Sequence, residues 1–394
     1  MYLANHLSSQ ICANDCFNTL LSILAYLAWT LIRLESNVHR ARALDVPIVT
    51  IPFGVNSYTW VILQPFVWNL LNFLPVPWSS YPDFVRYSHR TWHFLEKSRP
   101  TATLGPVWAL VSPEEISLHI ADPDMIGEIF SRWRDFVRPV QKYPPVSAKA
   151  KKSGLSVDEI LGNSFVINFA GHDTVRLTLN FTLALLAVHP DVQEWIYQEI
   201  KMFSGGHPND EWDYDMFPKL KRCQAVLLET LRIFPPSTGI PKIASHTAPT
   251  LRLGDQILVI PPGTEVFPLL LGIQTDARYW DDPYIRRPSR WILHDDKGDE
   301  GLLIPRRGTF FPWSEGPQIC VGKKFSLVEG VAVLVCLLQE HRLLVRVEAG
   351  ETQEQARHRV RNCIDDVNYN LLLRMNHPER VRLECASIQT EIWA

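Results

Sequence analysis

Residues 156–188, SVDEILGNSFVINFAGHDTVRLTLNFTLALLAV, carry the longest helical pattern in the chain. The stretch opens with a capping box, because Glu159 follows Ser156 by three residues. Its 33 residues are apolar on nearly all sides, which predicts one long central helix that is buried. Only its middle differs, where Asp173 and Thr174 introduce an acid and a hydroxyl into the apolar surface. We therefore expect the fold to be built around this helix.

The composition predicts a large globular protein. Of the 394 residues, 46% are hydrophobic and 21% are charged, which is enough apolar material for a sizeable core. The 39 basic and 42 acidic residues are well mixed, so the net charge of -3 gives no reason to expect nucleic acid as a partner. The seven cysteines are scattered and odd in number, which favours a reducing compartment over a disulfide framework.

Shorter elements around the long helix make the predicted fold class mostly α with a minor β part. Residues 107–112 and 115–122 predict a hairpin, and residues 123–133 predict a helix capped by Asp122. The same patterns predict helices at 191–203 and 217–233, strands within 251–267 around the turn at 261–263, and a final helix from Cys320 towards His341. Residues 143–152 are polar and contain proline, which predicts a connector.

The N-terminal region predicts a membrane anchor. Residues 16–32, CFNTLLSILAYLAWTLI, are uncharged and mostly apolar, and three arginines follow them by position 42. There is no basic segment before this stretch and no small-residue cleavage site after it, so we expect a retained anchor with the remainder of the chain on the cytosolic side. A buried core helix is the alternative. Residues 55–81 are uncharged, aromatic and interrupted by prolines, which favours an interfacial segment.

One cysteine stands in an unusual setting within residues 310–322, FFPWSEGPQICVG. A lone cysteine such as Cys320 is most often a small buried core residue. In this sequence Gly316 and Gly322 let the backbone approach a flat ligand, and the thiol precedes a predicted helix whose dipole favours the thiolate. Cys320 is therefore a candidate iron ligand as well as a candidate core residue.

Two further patterns are open to a structural and a functional interpretation. Glu229 and Arg232 lie one helical turn apart and would normally form a surface pair, but their helix is largely apolar, and Arg290 is a candidate third member of a buried charge cluster. In the long helix, Thr174 could simply bond to the carbonyl of Ala170 while Asp173 pairs with a neighbour. The nearby Gly171 favours a functional role, because it leaves room for a ligand against the helix.

Taken together and in this order, the three motifs resemble those of the cytochrome P-450 family of haem-thiolate monooxygenases. Residues 170–174, AGHDT, resemble the oxygen-activation signature of the family, and Glu229, Arg232 and Arg290 resemble its structural charge triad. Residues 313–322, WSEGPQICVG, resemble its haem-binding loop. The chain looks most similar to membrane-bound enzymes of filamentous fungi, which often act in secondary-metabolite biosynthesis.

The resemblance implies a cofactor and the residues that hold it. The cofactor would be haem b, with the thiolate of Cys320 as the axial ligand of the iron. The other residues implied to bind the haem are Trp313, Gly316, Gln318, Gly322 and Lys242, the last of which would reach a propionate.

The resemblance also implies how oxygen and electrons are handled. Thr174 would hold oxygen and an ordered water by hydrogen bonds, while Asp173 would relay protons. Electrons would come from NADPH through a cytochrome P-450 reductase, which would dock near Lys323 and Lys324. The substrate would be a small organic molecule, and the location would be the membrane of the endoplasmic reticulum.

The chain departs from the family pattern at several positions. Gln318 stands where the family usually has Arg or His, Trp313 replaces the usual Phe, and Val175 replaces a common Thr or Ser. Only 22 residues separate Trp133 from Ser156, where the family has a long multi-helix region, so the resemblance predicts an incomplete fold.

The expected organisation follows from these segments. We expect a tail at 1–15, an anchor at 16–32, a membrane-proximal linker and interfacial segment at 33–106, and a haem-thiolate catalytic domain at 107–394, shortened near 143–152. The favoured function is monooxygenation. The alternatives are an inactive or haem-poor relative and a haem-thiolate isomerase or dehydratase.

Overall fold

The computed structural model describes residues 2–139, 156–204 and 214–388, with side chains from residue 18 onward. The predicted connector at 143–152 therefore lies outside the described residues. The helices of these ranges are α1 (Tyr2–Arg42), α2 (Tyr58–Leu71), α3 (Asp83–Arg86), α4 (Trp92–Glu96), α5 (Arg99–Leu104), α6 (Pro123–Ser131), α7 (Val157–Val188), α8 (Pro190–Ser204), α9 (Lys221–Ile233), α10 (Leu270–Gln274), α11 (Lys323–Leu338) and α12 (Gln353–Asp365).

The strands are short, with two to five residues each. They are β1 (Ile48–Thr50), β2 (Val107–Val111), β3 (Ile116–Ile120), β4 (Phe136–Val137), β5 (Lys242–Ala244), β6 (Thr250–Leu253), β7 (Gln256–Val259), β8 (Glu265–Pro268), β9 (Ile292–His294), β10 (Glu300–Leu302), β11 (His341–Val345), β12 (Val367–Tyr369), β13 (Leu373–Met375) and β14 (Leu383–Ser387). The prediction of a mostly helical chain with a minor β part is confirmed.

Helix α7 confirms the long central helix but corrects its predicted burial. The capping box of Ser156 and Glu159 is present, and the helix runs unbroken to Val188. Its C-terminal half is buried from Leu177 onward, where it packs with α8, α9, α11 and α12. Its N-terminal half is exposed, with about two thirds of the side chains of Leu161 (63%) and Phe165 (69%) open to solvent. The apolar pattern correctly predicts the helix. Burial also requires a packing partner, and the N-terminal half of α7 lacks one among the described elements.

The largest sheet of the described residues has six strands and is mixed. Its order is β1-β2-β3-β8-β5-β4, and the predicted hairpin is confirmed as the antiparallel pair β2 and β3. Strand β1, which belongs to the segment expected to be a linker, pairs in parallel with β2. Part of the 33–106 segment is therefore built into the same sheet as the later strands.

The predicted turn at residues 261–263 joins different strands from those expected. The hairpin is formed by β6 and β7 around Gly254, which has φ +58°. The turn at Gly263, with φ +79°, instead leads into β8 of the large sheet. Both turns use a glycine in the left-handed region, so the local sequence marks the turns but not the pairing of their strands.

Helices α6 and α11 begin close to the positions that the sequence predicts. Helix α6 begins behind the predicted cap, because the Asp122 side chain accepts hydrogen bonds from the N–H groups of Asp124 and Met125. Helix α11 ends at Leu338 and is not the final helix, since α12 follows it with its own capping box of Thr352 and Gln355. The charged and strongly amphipathic stretch of α12 was missed.

Candidate functional site

The loop that carries Cys320 rests on helix α6. Gly316 has φ +70°, and a Cβ at this position would lie 2.5 Å from the carbonyl oxygen of Phe130. Gly308 shows the same close approach, with a Cβ position 2.2 Å from the carbonyl oxygen of Pro123. Any side chain at either glycine would collide with the backbone of α6. The two glycines therefore allow the backbone of the loop to lie directly against the backbone of α6.

The thiol of Cys320 lies at the surface of the described structure. The N–H of Cys320 donates to the carbonyl of Trp313 over 2.8 Å, which closes the loop just before α11 begins at Lys323. The side chain is a free thiol, and Val321 beside it is fully exposed. Ile319 and Phe325 are also exposed. Cys320 is thus flanked in the sequence by three exposed apolar side chains.

The structure brings Glu229, Arg232 and Arg290 together in the interior. The Glu229 carboxylate accepts bonds from Arg232 at 2.8 and 2.9 Å and from Arg290 Nε at 3.1 Å. The N–H of Arg287 and the indole N–H of Trp291 complete its partners at 2.8 and 2.9 Å. Each oxygen of this buried acid is saturated, as a buried charge requires.

This cluster holds the segment that leads to the Cys320 loop. Arg232 also donates to the carbonyls of Gln274 and Pro283, at 2.8 and 2.7 Å. Trp291, bonded to Glu229, packs edge-on against Phe310 at a centroid distance of 4.8 Å. Because Phe310 begins the loop, a continuous path of contacts joins the buried acid to the loop that carries Cys320.

The protonation of Glu229 is set by its partners. Burial acts to raise the pKa of its carboxyl, but the hydrogen bond and charge of Arg232, with the N–H of Arg287 and the charge of Arg290, outweigh burial. The pKa of Glu229 is therefore below its ordinary value. The carboxylate stays charged at neutral pH, and its contribution to stability is lost only when the pH falls through this lowered pKa.

Asp173 and Thr174 are occupied within α7. The hydroxyl of Thr174 donates to the carbonyl of Ala170 over 2.7 Å. Asp173 pairs with Arg176 at 2.7 Å and with Arg374 of β13. The hydrogen bond from Arg176 lowers the pKa of Asp173, and the charge of Arg374 adds to this shift. In this arrangement Asp173 is an anion that ties the β12–β13 hairpin to the central helix.

A cavity of about 650 Å³ lies between the sheet and the Cys320 loop. Its lining includes Gln318 and Ser314 of the loop, Val166 of α7 and Lys242 of β5. Cys320, Asp173 and Thr174 do not line it. The sequence-predicted residues thus lie in separate places: Lys242 and Gln318 on the cavity wall, Cys320 on the exposed loop, Asp173 and Thr174 half-buried on α7, and the Glu229 cluster in the interior.

The cavity holds a buried cation. Lys242 is 1% exposed, and its ammonium donates to the neutral amide oxygen of Gln318 over 2.8 Å. Burial lowers the pKa of Lys242 to about 8, and the charge of nearby Arg138 contributes. No carboxylate of the described ranges forms an ion pair with it. A buried ammonium of this kind needs an anion to compensate its lost hydration.

These residues fit a haem. A haem is a flat apolar group with two carboxylates. The site offers an exposed free cysteine flanked by exposed apolar side chains, glycines that bring the loop close to α6, and a buried cation, Lys242, for a propionate. Cys320 would bind the iron through its thiolate, and Lys242 with Gln318 would contact a propionate. When bound, the group would supply the activation of dioxygen at its iron.

The family sequence model for cytochrome P-450 matches residues 135–360, which is more than half of the chain. The chain belongs to the cytochrome P-450 family. This cytochrome P-450 is 34% identical over 229 residues to a cytochrome P-450 monooxygenase of Arthrobotrys oligospora, which covers 53% of this chain and 39% of that protein. It is 39% identical over 214 residues to cytochrome P-450 monooxygenase 124 of Postia placenta, which covers 52% of this chain and 39% of that protein.

A third relative comes from a named biosynthetic cluster. The phomenoic acid biosynthesis cluster cytochrome P-450 monooxygenase of Leptosphaeria maculans is 29% identical over 232 residues, covering 53% of this chain and 39% of that protein. The chain thus spans about two fifths of the length of these relatives.

The sequence analysis of this cytochrome P-450 missed three kinds of contact. Trp291 directly follows Arg290 in the sequence, and its indole completes the Glu229 cluster. Arg374 carries no motif, and only the fold brings it to Asp173. His93 and His119 are isolated in the sequence but meet in the cavity wall. No local sequence signal predicts any of these pairings.

Proposed function

We propose that the chain is a haem-thiolate monooxygenase that oxidises a small organic substrate. The observation that carries the proposal is the Cys320 loop, held on α6 by two glycines and joined by contacts to the buried Glu229 cluster. Family membership supports it. The test is spectroscopic: the full chain is expressed with haem precursor, reduced and exposed to carbon monoxide. We expect the strongly red-shifted Soret band of a thiolate-ligated carbonyl complex.

One observation favours a second candidate, a haem-poor relative without activity. Cys320 and the N-terminal half of α7 are exposed among the described residues, and a large uncovered apolar surface disfavours retention of a buried cofactor. The same spectrum separates the two. A folded chain that shows no carbonyl band at all, with Cys320 intact, excludes the monooxygenase in this polypeptide.

Proton delivery to oxygen is proposed for Thr174 and Asp173. Thr174 would release the carbonyl of Ala170 and turn its hydroxyl towards the ligand, since a threonine on a helix has a second accessible rotamer. Asp173 would take up a proton that enters from bulk solvent as hydronium, pass it on, and then return as a carboxylate to its ion pair with Arg176. Retention of both groups favours oxygen chemistry over the isomerase or dehydratase alternative.

Thr174→Ala is expected to leave haem binding and the carbonyl spectrum unchanged while coupled turnover falls. A positioned proton donor contributes roughly 100-fold at the low end, so the fall should approach that value. The measurement is hydrogen peroxide released per NADPH with any substrate that the wild type oxidises. Thr178→Ala is the matched control, because Thr178 makes the equivalent bond to the carbonyl of Thr174 over 3.0 Å. Equal peroxide yields in both variants would refute the role of Thr174.

Electrons are proposed to come from NADPH through a cytochrome P-450 reductase. Support comes from two exposed lysines, Lys323 and Lys324, which begin α11 directly after the Cys320 loop. Their positive charge would attract an acidic partner to the face nearest the thiol. The Leptosphaeria maculans relative is named for a biosynthetic cluster, which supports a role in fungal secondary metabolism.

Membrane attachment is proposed to occur through α1. A stretch of this helix, Asn18–Arg42, is long and apolar enough to cross a bilayer, and only 6% of its apolar window is buried, so it is not a core helix. Near its C-terminal end Asn37 is buried and donates to the carbonyls of Ser112 and Pro113 at 2.9 and 3.1 Å. The anchor is thereby attached to the sheet, with the arginines that follow on the proposed cytosolic side of the endoplasmic reticulum.

Replacing Leu24 and Leu27 with lysine is expected to release the chain from the membrane. Both leucines are exposed on α1, and a lysine at the centre of a span costs about 3 kcal/mol on insertion scales. The wild type should stay in the membrane pellet after alkaline carbonate extraction, and the double variant should move to the supernatant. Leu293→Lys, on an exposed leucine of β9, should behave as the wild type. Retention of the double variant in the pellet would exclude α1 as the anchor.

A further inference from the structure

Helix α2 presents an apolar face that the described residues leave uncovered. The face consists of four residues at intervals of four and a fifth just beyond the end of the helix: Tyr58, Ile62, Phe66, Leu70 and Phe73. These five side chains are between 68% and 91% exposed. The surrounding residues 46–82 include no Asp, Glu, Lys, Arg or His. The outer face of a helix in water normally carries charged residues, so the composition of this face does not suit contact with water.

The opposite side of α2 is attached to the protein. Trp60 is buried, and its indole N–H donates to the carbonyl of Ser88 over 2.6 Å. Towards the other end of the helix, the ring of Trp68 packs edge-on against His89 at a centroid distance of 4.5 Å. Because these contacts orient the helix at both ends, the exposure of its apolar face follows from the packing of the fold.

The first turn of α2 touches the proposed membrane anchor. The hydroxyls of Thr59 and of Tyr26 on α1 are hydrogen-bonded to each other at 3.2 Å. Helix α1 packs on the sheet from Leu34 onward, whereas its apolar side chains before that residue are largely exposed. Tyr26 precedes Ile32, the last residue of the apolar run, by six positions, which is about 9 Å along a helix. Helix α2 therefore begins beside the apolar part of α1, and not beside the part that packs on the sheet.

This position identifies lipid as the partner of the apolar face. The apolar side of an interfacial helix lies about 5–10 Å below the boundary between headgroups and acyl chains, and α2 begins at such a depth along α1. A cluster of Trp68, Trp78 and Tyr81, with centroid distances of 5.7 and 6.3 Å from Trp68, flanks the C-terminal part of α2. Tryptophan and tyrosine rings collect at the level of the headgroups. A bilayer around residues 18–32 would cover the face without any rearrangement of the chain.

We propose that α2 is a second membrane attachment, which lies in the cytosolic leaflet with its apolar face against the acyl chains. The inference rests on the proposed function in one respect: α1 sets the position of the bilayer. The partner is the uncharged acyl region of the membrane, and no particular headgroup is required. One helix that crosses the bilayer and a second that lies in its surface would together fix the orientation of the sheet relative to the membrane.

The first test measures whether lipid covers Phe66. The full chain with Phe66→Cys is placed in lipid nanodiscs that hold one chain each and is treated with a water-soluble maleimide, and labelling is read by mass spectrometry of each cysteine-containing peptide. The matched control is Ile304→Cys, because Ile304 is also an exposed apolar residue but lies beyond β10. The native exposed thiol of Cys385 serves as the internal standard. We expect Phe66→Cys to react at least tenfold more slowly than Ile304→Cys, and equal rates would overturn the proposal.

A second test separates α2 from α1. The full chain with Leu24→Lys and Leu27→Lys is mixed at neutral pH with phosphatidylcholine vesicles, and the fraction that floats with them is measured. We expect this chain to bind through α2. Adding Phe66→Asp and Phe73→Asp should lower its partition coefficient about hundredfold, since burial of each phenylalanine contributes roughly tenfold. Adding Ile304→Asp instead should change nothing.

Failure of α2 and failure of α1 are seen in different measurements. A chain with the two lysines that does not float, or that floats equally well with both aspartates, overturns the role of α2. Carbonate extraction reports on α1 alone, because a helix held only at the membrane surface binds far less firmly than one that spans it. Neither test of α2 involves haem, so loss of the carbonyl spectrum would refute the monooxygenase without affecting this result.

Discussion

Cys320→Ala is expected to abolish the red-shifted carbonyl spectrum completely. The band depends on a thiolate that binds the iron, and alanine would supply no ligand atom. The other free cysteines whose side chains the structure describes, Cys223, Cys336, Cys363 and Cys385, lie outside this loop. The expected product is a chain that either lacks haem or shows the unshifted spectrum of a haem with another ligand.

The control for this experiment is another exposed cysteine that lies outside the loop. Cys385, a free and exposed thiol on β14, is suitable. Cys385→Ala should retain the wild-type band at full intensity, which shows that loss in Cys320→Ala is not a general effect of removing a thiol. A red-shifted band that survives in Cys320→Ala would mean that another cysteine ligates the iron, and the proposed site would be wrong.

The sequence predicts single elements well because their signals are local. The capping box of Ser156 and Glu159 marks the start of α7, and the Asp122 cap marks the start of α6. The exposed half of α7 could not be predicted, since an apolar pattern indicates a tendency to be buried and not the presence of a partner. For the same reason Gly254 and Gly263 mark two turns, while the strands that pair across them depend on the whole sheet.

The candidate site likewise contains residues that local motifs mark and contacts that only the fold creates. Cys320, Glu229 and Arg232 stand in recognisable motifs, so the sequence identified them as candidates. The ion pair between Asp173 and Arg374 joins residues 201 positions apart, and no pattern within either segment predicts it. His93 and His119 likewise meet only after α4 packs on β3. Motifs therefore mark the candidate reacting and structural groups, whereas the contacts that orient or tether them arise from the tertiary fold.

Glu229→Gln is expected to destabilise the protein by about 3–5 kcal/mol, because it leaves Arg232 and Arg290 buried without their counter-charge. Glutamine keeps the shape of the side chain but replaces one acceptor oxygen with an NH2 group that faces donors. The measurement is the free energy of unfolding from chemical denaturation at neutral pH. Since Trp291 joins the cluster to Phe310 of the Cys320 loop, the variant should also lose haem more readily than the wild type.

A surface pair provides the comparison that isolates burial. Glu354 pairs with Arg361 at 2.8 Å but is 67% exposed, and Glu354→Gln should shift the denaturation midpoint far less than Glu229→Gln. The pH dependence adds a check on the cause. Because the pKa of Glu229 is lowered in the folded chain, its contribution is complete above the ordinary pKa of a glutamate and is lost as the pH falls through the lowered value. The gap in stability between the wild type and Glu229→Gln should therefore narrow with acid. A gap that is constant from neutral to acid pH would show that packing, not charge, is the role of Glu229.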